Sequence, residues 1–308
     1  MTDIRTGISI DTIKDILQRS GYGTLESSVH GKNQTRFTHL ILEKDGQRFF
    51  CKVNNDNEVY DSQVNQLLST LLRDSPDGIT FHAPVDTIED GDHIFHIYPY
   101  VDQRPVSSES EDFTDFQIPE SDVEVYLQRV LTAIRYVENQ QMVSHFETRH
   151  RVPVEDTVIA LLRQASIDTP HAVEFLQYVL DEGARLPEYR LAIDDIQPQN
   201  MFWDTETKHL TIFDLELLMP KKRCYDYAKF CAQLWVVYGR EAYAQQFTRM
   251  LFDQLPAEEK GVVYSYFRYH MSCEALLYYR VFREDYRRER TVSMMDWIRR
   301  DLLDLVNR

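Results

Sequence analysis

Apolar positions near the start of the chain fall at Ile10, Ile13, Ile16 and Leu17, the three-and-four spacing that lines one face of a helix. A helix is therefore expected over Ile8–Arg19, with Gly21 and Gly23 ending it. The period then shortens. Leu25–His30, Arg36–Glu43 and Arg48–Val53 read as strands, the last two joined by a hairpin turn at Lys44-Asp45-Gly46. The helical period returns over Glu58–Leu72, where Val64, Leu67, Leu68, Leu71 and Leu72 form the apolar face. Phe81–Thr87 and His93–Tyr98 read as two more strands, turning at Glu89-Asp90-Gly91-Asp92.

A Ser/Asp/Glu-rich stretch, Ser107–Pro119, reads as a loop, and beyond it the pattern is mostly helical. Helices are expected at Ser121–Gln140, Val154–Gln164, His171–Glu182, Tyr225–Val237, Arg240–Leu251, Pro256–Tyr279 and Met294–Leu305, with one β-rich interruption at Met201–Leu218. The expected fold class is α+β. A small antiparallel-sheet lobe over residues 1–98 precedes a larger, mostly helical lobe over residues 99–308.

Composition narrows the function. The 308 residues hold 34 Lys+Arg against 50 Asp+Glu, a formal net charge of −16, which repels phosphate backbones and anionic membrane surfaces. Neither a nucleic-acid nor a membrane partner is expected, and cationic ligands gain. At 43% hydrophobic the chain can bury a sizeable core. No apolar run reaches the ~20 residues of a membrane helix. The first thirty residues show no basic start followed by an apolar block. The four cysteines form no CxxC pair and no zinc-ligand spacing, so buried free thiols and a cytoplasmic location are expected.

The chemistry concentrates in Leu191–Leu218. Asp195 and Asn200 lie five apart around Pro198, which disfavours a helix and lets the two polar groups converge on one point. A hairpin follows, with Met201–Trp203 and His209–Phe213 as strands. At its end stand Asp214 and Glu216 among Ile212, Phe213, Leu215, Leu217 and Leu218. If the segment stays extended, alternation puts both carboxylates on one face. Two acids in so apolar a run are expensive to bury without a cation. A hard divalent ion suits them, with the Asn200 amide oxygen and phosphate oxygens completing its shell. Asp195 is then available to accept a proton from an attacking hydroxyl, the division of labour that phosphoryl transfer needs.

These residues resemble the catalytic core of the aminoglycoside phosphotransferase and choline kinase family, distant relatives of the protein kinases. That family carries His-Gly-Asp, an Asn five residues after the Asp, and a strand ending in Asp-x-Asp/Glu. Ile193-Asp194-Asp195, Asn200 and Phe213-Asp214-Leu215-Glu216 stand at the corresponding positions. Arg223-Cys224-Tyr225-Asp226-Tyr227-Ala228 is similar to the family's Tyr-Asp-Leu-Ala helix start, whose Asp braces the catalytic loop.

Upstream, Phe49–Val53 resembles the third strand, whose Lys, here Lys52, grips the nucleotide phosphates. His96–Val101 resembles the last strand and hinge that receive the base, here through Ile97, Tyr98 and Tyr100. The resemblance implies an acidic partner for Lys52 on the following helix; Glu58 is the nearest Glu, with Asp61 and Gln63 on neighbouring turns. His30–Thr35, with Gly31, reads either as an ordinary hairpin turn or as a polar phosphate loop.

The resemblance covers roughly residues 24 to 240. It implies a bilobed protein-kinase-like fold, Mg²⁺, ATP or GTP as phosphoryl donor, and a small hydroxylated acceptor, for which the acidic balance fits a cationic one. Ile193 and Asp194 depart from His and Gly, and they motivate a second reading as an inactive nucleotide-binding regulator. A ligand-free helical protein leaves the four polar residues of the hairpin region unexplained. The Arg-rich run Tyr279–Arg290 is expected to be a solvated, salt-bridged helix face.

Overall fold

A computed structural model describes residues 9–28, 37–54, 68, 71, 74–91, 93–103, 105–107, 115–140, 181–183, 185–215, 218–282 and 284–306. The chain divides into two compact units. The first comprises Met1–Asp74, Phe81–Gln103 and Phe213–Glu216, and the second comprises Ser75–Thr80, Arg104–Ile212 and Leu217–Arg308.

In the first unit, α1 (Ile10–Arg19) starts at Ser9, whose Oγ accepts the Thr12 N–H at 3.0 Å. Strands β1 (Gly23–Ser28), β2 (Phe37–Lys44) and β3 (Gln47–Asn54) follow. A short β4 (Ile79–Phe81) belongs to a separate sheet, and β5 (Asp86–Asp90) and β6 (His93–Pro99) complete an antiparallel sheet of order β1-β2-β3-β6-β5. Lys44 pairs with Gln47 across a two-residue turn in which Asp45 and Gly46 both have positive φ, the geometry that matches strand twist.

Side-chain alternation decides the two faces of this sheet. Leu40, Leu42, Cys51, Val53, Phe95 and Ile97 are buried together with Ile13, Ile16 and Leu17 of α1. The intervening positions, Phe50, Lys52, His96 and Tyr98, therefore share the opposite face, and Lys52 lies directly across from His96, Phe50 across from Tyr98.

The segment Phe81–Thr87 is not one strand as expected. Phe81 ends β4 and β5 begins only at Asp86. Pro84 stands between them and has no N–H to give a ladder. Val85 resumes the pairing by donating to the Ile97 carbonyl at 2.7 Å. Of the helix expected over Glu58–Leu72 only Leu68 and Leu71 are described, both helical and buried. Gly31 and its loop, Glu58, the helix at Val154–Gln164 and most of that at His171–Glu182 lie outside the described residues.

The second unit is built on helices. A 3-10 turn at Glu120–Asp122 leads into α2 (Val123–Glu138), which buries Tyr126, Leu127, Val130, Leu131, Ile134 and Val137 along one stripe. Two small antiparallel sheets interrupt the helices. β7 (Tyr189–Ala192) pairs with β10 (Met219–Lys222), while β8 (Met201–Asp204) and β9 (His209–Ile212) form a hairpin beside β4. β7 and β10 are not legible in the sequence: each has only four residues, and Pro220 sits in one of them.

Then come α3 (Tyr225–Ala232) with a π-helical extension over Gln233–Val237, α4 (Glu241–Asp253), α5 (Ala257–Val281), α6 (Asp285–Arg300) and α7 (Leu302–Val306). Ring pairs such as Phe230–Phe247 and Trp235–Trp297, both with centroids 5.0 Å apart, tie these helices together.

The Arg-rich run is not a simply solvated face. Arg287 is buried, with its guanidinium 4.5 Å from the Phe282 ring. Arg290 lies against Gly239, where a Cβ would meet the guanidinium at 2.6 Å, and donates to the Val236 carbonyl at 3.3 Å. All four cysteines are buried free thiols. Among the described residues no helix is long and apolar enough to cross a membrane.

One buried base gives the fold a pH signature. His270 of α5 packs edge-on to Tyr225 and Tyr269. Burial pushes its pKa down to about 3; main-chain hydrogen bonds at Lys222 and Arg223 oppose the shift, and the ammonium groups of Lys222 and Lys221 add to it. The unfolded chain takes up this proton near pH 6.5 and the native chain refuses it, so this contribution to stability is intact above about pH 6.5 and is lost as pH falls from there towards 3. The slope from one such group is at most about 1.4 kcal/mol per pH unit. Urea midpoints measured from pH 7.5 to 4.5 should fall less steeply for His270→Asn than for the parent chain. Parallel curves would remove His270 as a source of acid sensitivity.

Candidate active site

In the second unit, Ala192 is the last residue of β7, and the chain turns sharply through Ile193, Asp194 and Asp195. Asp194 has φ +64°, in the left-handed region that Gly enters freely and that Asp tolerates better than most residues. The turn closes with Asp195 N–H donating to the Ile193 carbonyl at 2.8 Å.

The turn hangs on a single carboxylate. Asp226, in the first turn of α3, accepts the Ile193 N–H on Oδ2 at 2.6 Å and the Asp194 N–H on Oδ1 at 3.1 Å. It is 1% exposed, and burial pushes its pKa up to about 7, with the Ile193 N–H pulling the other way. What sets α3 in place is itself specific. Cys224, with φ +66°, precedes the helix, and its N–H donates to Glu138 Oε1 of α2 at 2.6 Å.

Pro198 opens a 3-10 turn through Asn200, whose N–H donates to the Gln197 carbonyl at 2.8 Å. The turn carries Asn200 back to Asp195: Nδ2 donates to Asp195 Oδ2 at 2.7 Å and to its main-chain oxygen at 3.1 Å. Gln197 Nε2 donates to the same Oδ2 at 3.0 Å. Two amides thus fix one oxygen of the carboxylate and with it the plane of the group. Sequence spacing does not single out Gln197, although it lies two residues from Asp195 in the same loop. With Nδ2 of Asn200 engaged as a donor, its Oδ1 is the atom available as a hard oxygen ligand.

In the first unit, the buried Lys52 of β3 forms a charge-assisted hydrogen bond with Asp214, whose side chain is 33% exposed. The two residues lie 162 positions apart, so no local pattern announces the pair. Lys52 also stands 5.9 Å from the Tyr98 ring, on which His82 stacks with centroids 5.3 Å apart. Burial, reinforced by the Lys52 ammonium, pushes the neighbouring His96 down to about 4 and so keeps it neutral beside the lysine.

Ile97 is fully buried within the sheet, and its carbonyl accepts from Val85; past Pro99 the chain leaves the sheet, with Tyr100 N–H donating to Arg48 O at 3.2 Å.

The extended geometry expected through this segment does not hold at Asp214. β9 ends at Ile212, Phe213 is outside any strand, and Asp214 has φ +63°. A left-handed residue breaks the two-residue alternation, so a shared face no longer follows. Glu216 lies outside the described residues. Among the described residues no three His, Cys, Asp or Glu side chains group as a metal site. Asn200 offers an amide oxygen and Asp214 a carboxylate, each a donor of the kind a hard cation takes.

No protein-family model matches the chain, and no curated protein matches it in sequence. Solved structures do. The GDP complex of aminoglycoside 2'-phosphotransferase-IIIa superimposes with a TM-score of 0.63 at 12% identity, covering 96% of each chain. Macrolide 2'-phosphotransferase type I gives 0.59 at 14% identity over 96% of this chain and 99% of its own. The microcompartment-associated aminopropanol kinase gives 0.55 at 13% over 97% and 99%. Near-complete coverage in both directions at such low identity is a likeness of fold: the chain has the kinase-like α+β fold of these phosphotransferases.

Proposed function

We propose that the protein is a Mg²⁺-dependent small-molecule phosphotransferase that moves the γ-phosphoryl group of ATP or GTP to a hydroxyl. The observation that carries this reading is the loop carrying Asp195: an aspartate whose carboxylate plane is fixed by Asn200 and Gln197, on a turn suspended from Asp226. A carboxylate so oriented suits the work of a general base. The shared fold supports the reading, since aminoglycoside, macrolide and aminopropanol phosphotransferases are built on it, and solved examples hold GDP or ADP.

In this mechanism Asp195 accepts the acceptor's hydroxyl proton as the new O–P bond forms. The bond from the γ-phosphorus to its bridging oxygen breaks, and a nucleoside diphosphate leaves. Lys52 orders the α and β phosphates. Asn200 and Asp214 would hold Mg²⁺ through oxygen ligands, with Glu216 as a further candidate. The ion, when bound, neutralises charge on the transferring group. The hinge residues Ile97, Tyr98 and Tyr100 are assigned to the base, and Gly31 and Glu58 to the phosphates and to Lys52. The net charge of −16, together with the aminoglycoside and aminopropanol acceptors of enzymes sharing the fold, favours a hydroxylated amine as substrate. The protein is assigned to the cytoplasm.

Ile193 and Asp194 motivate a second reading, an inactive nucleotide-binding module. Against it, Asp226 holds both of their amides, which supports a fixed position for Asp195.

Two variants separate the readings. Asp195→Ala should lower phosphoryl transfer to a panel of hydroxylated amines by ~10²–10⁴-fold while nucleotide affinity by calorimetry stays within about twofold. Undiminished turnover would take the role of base from Asp195. Asp214→Asn should lose the Mg²⁺-dependent part of the thermal stabilisation by nucleotide, which for the parent chain amounts to about 2.7 kcal/mol at a hundred times the dissociation constant. A parent chain that binds Mg·nucleotide but transfers to no acceptor would establish the inactive module.

A further inference from the structure

The residue before the proposed base is held more completely than a surface turn requires. Asp194 gives its N–H to Asp226. Its carbonyl accepts a hydrogen bond from the Lys229 ammonium. Its carboxylate lies 3.2 Å from Lys221 Nζ and 4.0 Å from Lys229 Nζ, and its charge acts on the Tyr225 hydroxyl. Lys221 comes from β10 and Lys229 from α3, one turn beyond Asp226, so the same helix that supplies the brace supplies the second cation. The side chains of Asp194, Lys221 and Lys229 are only 15–17% exposed. Glu274 of α5, itself buried, faces Lys229 and balances its charge.

Gathering these charges out of water is costly, and buried ion clusters of this kind add little net stability. Their effect is to single out one conformation. Every polar group of Asp194 is tied, and Asp195 is bonded to it by a rigid peptide plane. We infer that Lys221 and Lys229 form a clamp on Asp194 that sets the main-chain position of Asp195. They are positioning residues for the proton transfer, acting through Asp194 and not on substrate. This rests on the phosphotransferase reading for its catalytic consequence, and on geometry alone for the clamp.

Both lysines approach the carboxylate but only Lys229 also holds the carbonyl, which makes the clamp testable by a double-mutant cycle. Lys221 holds the carboxylate, so Lys221→Met should loosen the turn in the parent chain and do nothing further in an Asp194→Gly background, where its target is gone. Lys229 also holds the carbonyl, which Gly retains, so part of the effect of Lys229→Met should persist in that background. Two measurements apply to every variant: hydrogen exchange of the peptide 191–198, and kcat with nucleotide KM.

The expected result for Lys221→Met is exchange faster by about tenfold and kcat lower by about tenfold, with KM within about twofold and partial recovery in Lys221→Arg. Unchanged exchange in Lys221→Met, an unchanged kcat despite faster exchange, or an equal Lys221→Met effect with and without Asp194→Gly would each overturn the inference. If the parent chain transfers no phosphate at all, the functional reading fails, and the exchange cycle alone then decides the clamp. Because Lys229→Met removes one partner of a buried cluster and can impair folding, the Lys221 cycle is the decisive one.

Discussion

The buried carboxylate of Asp226 is the constraint from which the candidate active site is built. A carboxylate at 1% exposure is unfavourable unless its oxygens find donors, and here the two donors are consecutive main-chain amides, those of Ile193 and Asp194. Satisfying one acid therefore dictates the path of two residues. It bends the chain at the end of β7 into a turn with a left-handed residue and delivers Asp195 beyond it. The same acid sits in the first turn of α3, where the helix dipole favours negative charge. The start of α3 is in turn fixed by Cys224 on Glu138. Each link is a polar group withdrawn from water and satisfied by another part of the chain, so hydrogen bonding, and not packing alone, sets the position of the loop.

The first unit obeys a different rule. Its sheet has one apolar face covered by α1, and the period of two forces every alternate side chain onto the other face. That is how a lysine comes to be buried on a strand with Cys51 and Val53 as neighbours: the core takes those two and leaves Lys52 facing away. The chain then returns, 162 residues later, with Asp214 to compensate its charge. The depressed pKa of His96 follows from the same constraint, since a neutral imidazole beside a buried ammonium avoids a second cation.

Coverage of 96% or more of the phosphotransferase structures at 12–14% identity shows how loosely a fold is tied to particular residues. Layer packing tolerates wholesale exchange of one apolar residue for another, provided volume and pattern are kept. The polar residues of a loop have no such freedom, because each answers to a particular donor or acceptor. Asp194 is such a residue, accommodated by two lysines and a tyrosine around it.

Much of this is readable in the sequence. Helical and strand periods place α1, β2, β3, β6, α2, α4 and α5 within a few residues, because each buries one regular face. The spacing of Asp195 and Asn200 around Pro198 announces a loop in which they converge, since a proline leaves few alternatives. Short strands without a full period, β7 and β10, are not legible; nor is the break at Pro84, where a strand pattern continues through a residue that cannot pair. Extrapolating alternation through Asp214 fails because a positive φ is a property of the folded turn and not of residue order. The partners of charged groups are decided only by tertiary structure: Lys52 with Asp214, Asp226 with two amides, Lys221 and Lys229 with Asp194. The physical reason is that periodicity reports where a side chain faces along its own element, whereas a buried charge is stabilised by whatever the fold brings to it from another.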